Sequence, residues 1–215
     1  MVNKAAIKMA TSAINGIFFN FIQFIIWDSN KSNYFGEERK CKQMNNPKLA
    51  ELKKELQYQE VNELKELCLK LAKYKTENKE LLNYLLFYKD RKDDYVFEVK
   101  TLLATDFENL YPSIYYATKQ LRKLIRVMNK HIKYIGEKDK EVEITLSFCE
   151  LFMQTDLVKS THKALISLLF RQLKRVNKLL PKLEDDLQFD FQQQFDVLIA
   201  GLKKKRTSFQ MWEIE

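Results

Sequence analysis

The chain has 215 residues, 46% of them hydrophobic, enough for one domain with a real core. Four glycines and three prolines are too few for a fold built on many tight turns, which argues against all-β architectures. A net charge of +8 admits anionic partners without demanding them, because charge bears on association rather than on fold.

Ala13 to Trp27 is the most apolar run, broken by Asn15, Gly16, Asn20 and Gln23. It is shorter than the ~20 apolar residues of a membrane span. Lys4 and Lys8 supply the positive flank of a signal peptide, but Asp28-Ser-Asn-Lys-Ser-Asn offers no small-residue cleavage site. No firm membrane span is therefore predicted. Phe, Ile, Asn and Lys have A/T-rich codons, so residues 1–43 also read as an upstream region translated in frame, with Met44 as the true start. A non-native or disordered extension, an interfacial helix and a membrane anchor stay open for this stretch.

From Met44 to about residue 205 the pattern predicts one all-α domain of helical hairpins, packed as a bundle or a short stack. A front section covers residues 44–108, a rear section 112–205, and 206–215 form a tail. Asn46-Pro47 opens the first helix by cap and first-turn preference, with Leu49, Leu52 and Leu56 on its inner face. After a break at Gln57–Glu60, a second helix carries Val61, Leu64, Leu67, Cys68, Leu71 and Ala72. Thr76 can cap a third, with Leu81, Leu82, Leu85 and Leu86 inward. A fourth runs from about Asp93 to Glu108 through Val96, Val99, Leu102 and Leu103.

Pro112 and Gly136 bracket the first rear helix. At about 100° per residue, Ile114, Leu121, Leu124, Ile125, Met128, Ile132 and Ile135 share one face. Lys119, Arg122, Lys123, Arg126, Lys130 and Lys133 share the other, with no acid anywhere in the segment. Glu137, Asp139, Glu141 and Glu143 crowd the next helix start, where the macrodipole favours anions. A third rear helix, about Leu157 to Leu180, repeats the pattern. Leu165, Leu169, Leu173, Val176 and Leu180 lie on one face, and Lys159, Lys163, Arg171, Lys174, Arg175 and Lys178 carry charge. A fourth starts near Pro181, carries Leu187, Phe191, Phe195 and Leu198, and ends by Gly201. Short connections between long helices mean antiparallel neighbours.

The basic faces point two ways. If basic and acidic helices alternate in space, part of the charge is neutralised inside the molecule, which is the ordinary fate of an amphipathic outer face. Otherwise Lys119, Arg122, Lys123, Arg126, Lys130, Lys133, Arg171, Lys174, Arg175 and Lys178 form a surface for polyanions, which needs only cations and geometry. Tyr115, Tyr116, Tyr134 and Phe170 flank the stripes and could stack bases.

Signals for catalysis are few. There is no Gly-rich phosphate loop, nucleophile elbow or C-x-x-C pair. His131, His162 and Cys149 could meet across helices around a metal, but no ligand spacing supports it. Asp185 and Asp186 suit a helix start better than acid–base work. Cys68 and Cys149 read as small buried residues, and single thiols fit a reducing cytoplasm.

Three front stretches and two rear ones carry a family likeness. They are Leu49-Ala-Glu-Leu-Lys-Lys-Glu-Leu, Glu63-Leu-Lys-Glu-Leu-Cys-Leu-Lys-Leu-Ala-Lys, Glu77-Asn-Lys-Glu-Leu-Leu-Asn-Tyr-Leu-Leu-Phe, Leu121-Arg-Lys-Leu-Ile-Arg-Val-Met-Asn-Lys and Glu143-Ile-Thr-Leu-Ser-Phe-Cys-Glu-Leu-Phe. Over residues 44–200 the chain resembles a family of uncharacterised helical bacterial proteins, mostly from Bacteroidota. The resemblance implies a helical fold and transfers no functional residue. The expectation is a cytoplasmic, non-catalytic helical module without cofactor that binds or scaffolds another protein. The alternative is a weak, sequence-nonspecific binder of nucleic acid or anionic surfaces.

Overall fold

The computed structural model describes residues 47–211. The apolar run Ala13–Trp27, Cys41 and the start at Met44 lie outside them. Among the described residues the fold is all-α, with eight α-helices and no strand. Helix α1, Leu49–Gln57, belongs to a unit separate from the other seven. Its N-cap falls at Lys48 rather than Asn46, and the Glu51 carboxylate accepts the Lys48 backbone N–H at 3.2 Å. Leu49, Leu52 and Leu56, expected to face inward, are all exposed.

The second unit begins at Glu60. Helices α2, Val61–Tyr74, and α3, Thr76–Asn83, pack on each other as a hairpin. Lys75 makes the corner in an extended conformation, and the Lys75 carbonyl takes the first α3 hydrogen bonds. Helix α3 runs directly into a π-helical turn, Tyr84–Tyr88. Next come α4, Lys92–Glu108; α5, Ile114–Ile135; and α6, Lys138–Gln154. Helices α7, Lys163–Leu179, and α8, Asp185–Lys205, complete the unit.

Helix α6 lies at the centre and packs on α4, α5, α7 and α8. Val142, Ile144, Leu146, Phe148, Cys149 and Phe152 on it are buried, so its apolar positions run nearly all round rather than along one stripe. Leu103 of α4, Leu121 and Met128 of α5, Leu165, Leu169 and Leu173 of α7 and Phe195 and Leu202 of α8 close over it. Gly136, at φ 73°, ends α5 in the left-handed conformation that an L side chain rarely adopts. That sharp stop lets α6 begin two residues later, at Lys138.

Helix α4 packs on α5 and α6, and the π turn reaches the same core through Tyr84. The third rear helix starts at Lys163 because Asp156–Lys159 is a separate 3₁₀ turn. The fourth starts at Asp185 and passes through Gly201 to Lys205. The stretch after it does not hang free. Phe209 is buried against Phe170, with ring centroids 5.4 Å apart, and the Arg206 guanidinium donates to the Val158 and Ser160 carbonyls at 3.1 and 2.6 Å.

Candidate functional site

The α2–α3 hairpin carries an apolar face that the other described residues leave exposed. The heptad-like leucines of α2 predict a buried stripe, yet neither α2 nor α3 contains a buried residue. Leu67, Leu69 and Leu71 are exposed, and so is Cys68, contrary to the expectation of a buried thiol. The π turn extends the surface. A widened turn shifts the residues after it around the helix. Tyr84 goes into the core, while Leu85, Leu86 and Phe87 face outward, Phe87 at 60% exposure. A groove of about 570 Å³ runs between the two arms, lined by Leu69, Ala72, Leu82, Leu86 and Phe87. Lys73 and Lys79 are the charged residues in its lining, and no carboxylate lines it. A second groove of about 280 Å³ holds Cys68, Leu71, Leu81 and Leu85.

A polar seam anchors this hairpin to the bundle. Tyr134 of α5 donates from its hydroxyl to the Glu77 carbonyl at 3.0 Å and to Glu80 at 3.3 Å. Burial and the Glu80 carboxylate push the Tyr134 phenol up to about 12, so it stays a donor. Lys130 pairs with Glu80 at 2.5 Å. His131 meets the Tyr95 hydroxyl at 2.7 Å, and Tyr95 stacks in turn on Tyr84 and Tyr88. Burial, helped by the Lys130 charge, holds the His131 imidazole below its usual value against the opposing pull of Glu80. His162 is exposed at the N-cap of α7, and Cys149 is fully buried, which raises its thiol far above the ordinary range. These three residues are not brought together, and no metal-type cluster of His, Cys, Asp and Glu occurs among the described residues.

The cations predicted for polyanions divide into two groups. Arg175 donates to the Glu141 carboxylate of α6 at 2.6 Å and to Asn129 of α5 at 2.5 Å. It is thus an internal partner of the acidic start of α6, and Lys130 is engaged with Glu80. Lys119 lies over the Tyr115 ring, 4.3 Å from its centroid, and Lys123 lines a small cleft with Asp106. Arg122, Arg126, Lys133, Arg171 and Lys178 are exposed, and none joins an ion pair among the described residues. Lys174 is half-buried on the outer side of α7.

The five unpaired cations lie on two helices that touch, α5 and α7. Arg175 near the end of α7 grips Glu141 at the start of α6 and reaches Asn129 of α5, so the two basic helices meet at Asn129 and Arg175. At ~100° per residue, Arg122, Arg126 and Lys133 project within about 60° of Asn129, and Arg171 and Lys178 within about 60° of Arg175. Each row therefore shares its side of the helix with one end of that contact.

Compared with known proteins, the chain matches no family model, no curated protein and no solved structure. The residues missed by sequence reasoning are those of the open face: Leu69, Leu86, Phe87 and Cys68. One signal was available, since Leu85-Leu86-Phe87 places three large apolar residues at consecutive positions, more than one helix face can bury.

Proposed function

We propose that this protein is a non-catalytic helical module whose α2–α3–π face docks an amphipathic helix with acidic flanks. The observation that carries the reading is the open groove between Leu69, Leu82, Leu86 and Phe87. Soluble surfaces rarely keep large contiguous apolar patches, and those that do mark interaction sites. A third helix laid in the groove would bury leucines that α2 and α3 leave bare, the helix-in-groove mode of recognition. Lys73 and Lys79 on the rim favour carboxylates beside the partner's apolar stripe. The bundle supports the groove rather than adding chemistry: His131 is engaged with Tyr95, and Cys149 is sealed in the core. We take the cytoplasm as its compartment, which fits a Cys68 thiol that is exposed and unbridged among the described residues.

The test uses a designed peptide with leucines at i, i+3, i+4 and i+7 and glutamates beside them. Full-length protein should bind it with an affinity that weakens with salt. The double variant Leu69→Glu, Phe87→Glu should lose binding at least tenfold while its circular dichroism stays unchanged. A lysine-flanked peptide binding equally well would refute the acidic-partner assignment. Binding that survives the double variant would refute the groove.

A further inference from the structure

We infer that the seam between α5 and α7 is a binding track for single-stranded nucleic acid, read through its phosphates without sequence preference. This surface is separate from the docking groove, so neither reading rests on the other. Three observations carry it. The first is that the cations are unpaired and concentrated. Arg122, Arg126 and Lys133 on one helix and Arg171 and Lys178 on the other belong to two helices that Arg175 and Asn129 join, and none has an acid within ion-pair distance among the described residues.

The second observation is that the track is preorganised. The Arg175 bridge to Asn129 and Glu141 ties the two helices together. Arg126 and Arg171 fold back onto their own helices, Nε donating to the Arg122 and Ser167 carbonyls at 3.4 and 3.0 Å, and one Arg171 terminal nitrogen also donates to the Ser167 hydroxyl at 3.3 Å. Each guanidinium is thereby held at its base, with remaining terminal N–H donors for a phosphate. Neighbouring cation levels are separated by one or two turns, ~5.4 Å each. That spacing is comparable to that between phosphates of an extended strand, and the rows together cover several of them.

The third observation separates a nucleic acid from other polyanions. Tyr115 lies two turns before Arg122 on the same side of α5, at 60% exposure, with Tyr116 edge-on beside it at 5.3 Å. Lys119 lies over the Tyr115 ring at 4.3 Å, and the ring's exposed remainder at the end of a basic row is a platform on which a base can stack beside a cation, the combination that single-strand binders use.

The experiment measures anisotropy of labelled oligo-dT and oligo-U with the full-length chain at low salt. Five phosphate contacts predict a slope of log K against log salt of roughly −3.5. The triple variant Arg122→Gln, Arg126→Gln, Arg171→Gln should reduce that slope by about 2 and affinity by well over tenfold. Tyr115→Ala should cost roughly tenfold for oligonucleotides, leave the slope unchanged and leave binding of inorganic polyphosphate unchanged. Lys203→Gln, Lys204→Gln, exposed on α8, removes two charges from another helix and should alter little. Absence of binding at low salt, wild-type binding by the triple variant, or a Tyr115→Ala protein that binds oligonucleotides undiminished overturns the inference. So does equal or tighter binding to vesicles of phosphatidylglycerol, which would make the seam a membrane contact.

Discussion

Arg171 and Arg175 sit one turn apart on the same helix, have the same chemistry and have opposite fates. Arg171 bonds only to Ser167 of its own helix, at its carbonyl and hydroxyl. Arg175 joins three helices, and its removal leaves the half-buried Glu141 carboxylate and Asn129 amide without their partner. Losing a charged hydrogen-bond partner from a partly shielded group costs ~1–3 kcal/mol. Arg175→Gln should therefore lower the midpoint of urea unfolding clearly, and Arg171→Gln should leave it nearly unchanged. Equal midpoints for the two variants would show that the three-helix bridge contributes nothing. His131 adds a pH dependence at the same scale. Its imidazole is held below 6.5 by burial and by Lys130, with Glu80 opposing and Tyr95, Tyr84, Tyr88 and Tyr134 around it. The unfolded chain takes up a proton near pH ~6.5 that the folded chain resists. The resulting stability is present above that value and is lost as pH falls from there through the lowered folded value. Thermal midpoints measured from pH ~7.5 down to ~5 should fall, and His131→Gln should flatten that part of the curve. A variant with the same fall as the parent would place the acid sensitivity elsewhere.

At the scale of elements, periodicity was a sound guide to which residues share a face and silent on what covers that face. In α7 the spacing of Leu165, Leu169, Leu173 and Val176 predicts a buried stripe, and all four are buried. In α2 the spacing of Leu64, Leu67 and Leu71 predicts the same, and none of the three is buried. The difference lies in partners, which a local pattern does not encode. Helix α7 packs on α6 through a run of buried leucines, while the main packing of α2 is against α3. The π turn was illegible for a related reason. The run from Tyr84 to Tyr88 suits an α-helix by propensity, and the widened turn follows from how Tyr84 and Tyr88 pack on Tyr95. The candidate basic surface was half legible. The absence of acids from α5 and α7 revealed the stripes, but only the packing of α6 and α5 on α7, which sets Glu141 and Asn129 beside Arg175, determines that Arg175 is consumed and Arg171 is not. Cys68 shows the limit from the other side, since a cysteine among leucines reads as buried until the helix is found without a cover.

Across the whole second unit, stability should grade from the open hairpin to the central helix. Local opening is easiest where few apolar side chains are buried, and hardest where opening must disrupt the entire core. Helix α2 has no buried residue, and α3 is tied to the bundle through the Tyr134 and Lys130 contacts with Glu77 and Glu80. Helix α6 carries Phe148, Cys149 and Phe152 at zero exposure and packs on four other helices. Native-state hydrogen exchange should therefore show amides of α2 exchanging first, those of α3 and the π turn next, and those of α6 last. Tyr134→Phe removes the hydroxyl that donates to Glu77 and Glu80, so it should accelerate exchange in α2 and α3 while leaving α6 unchanged. The acidic amphipathic peptide should do the reverse and slow exchange in α2, α3 and the π turn alone. An oligonucleotide should leave the hairpin unaffected and protect α5 and α7. Uniform exchange across α2 and α6 would mean that the hairpin opens only with the bundle, and the groove would then be held by contacts stronger than the Tyr134–Glu80 seam.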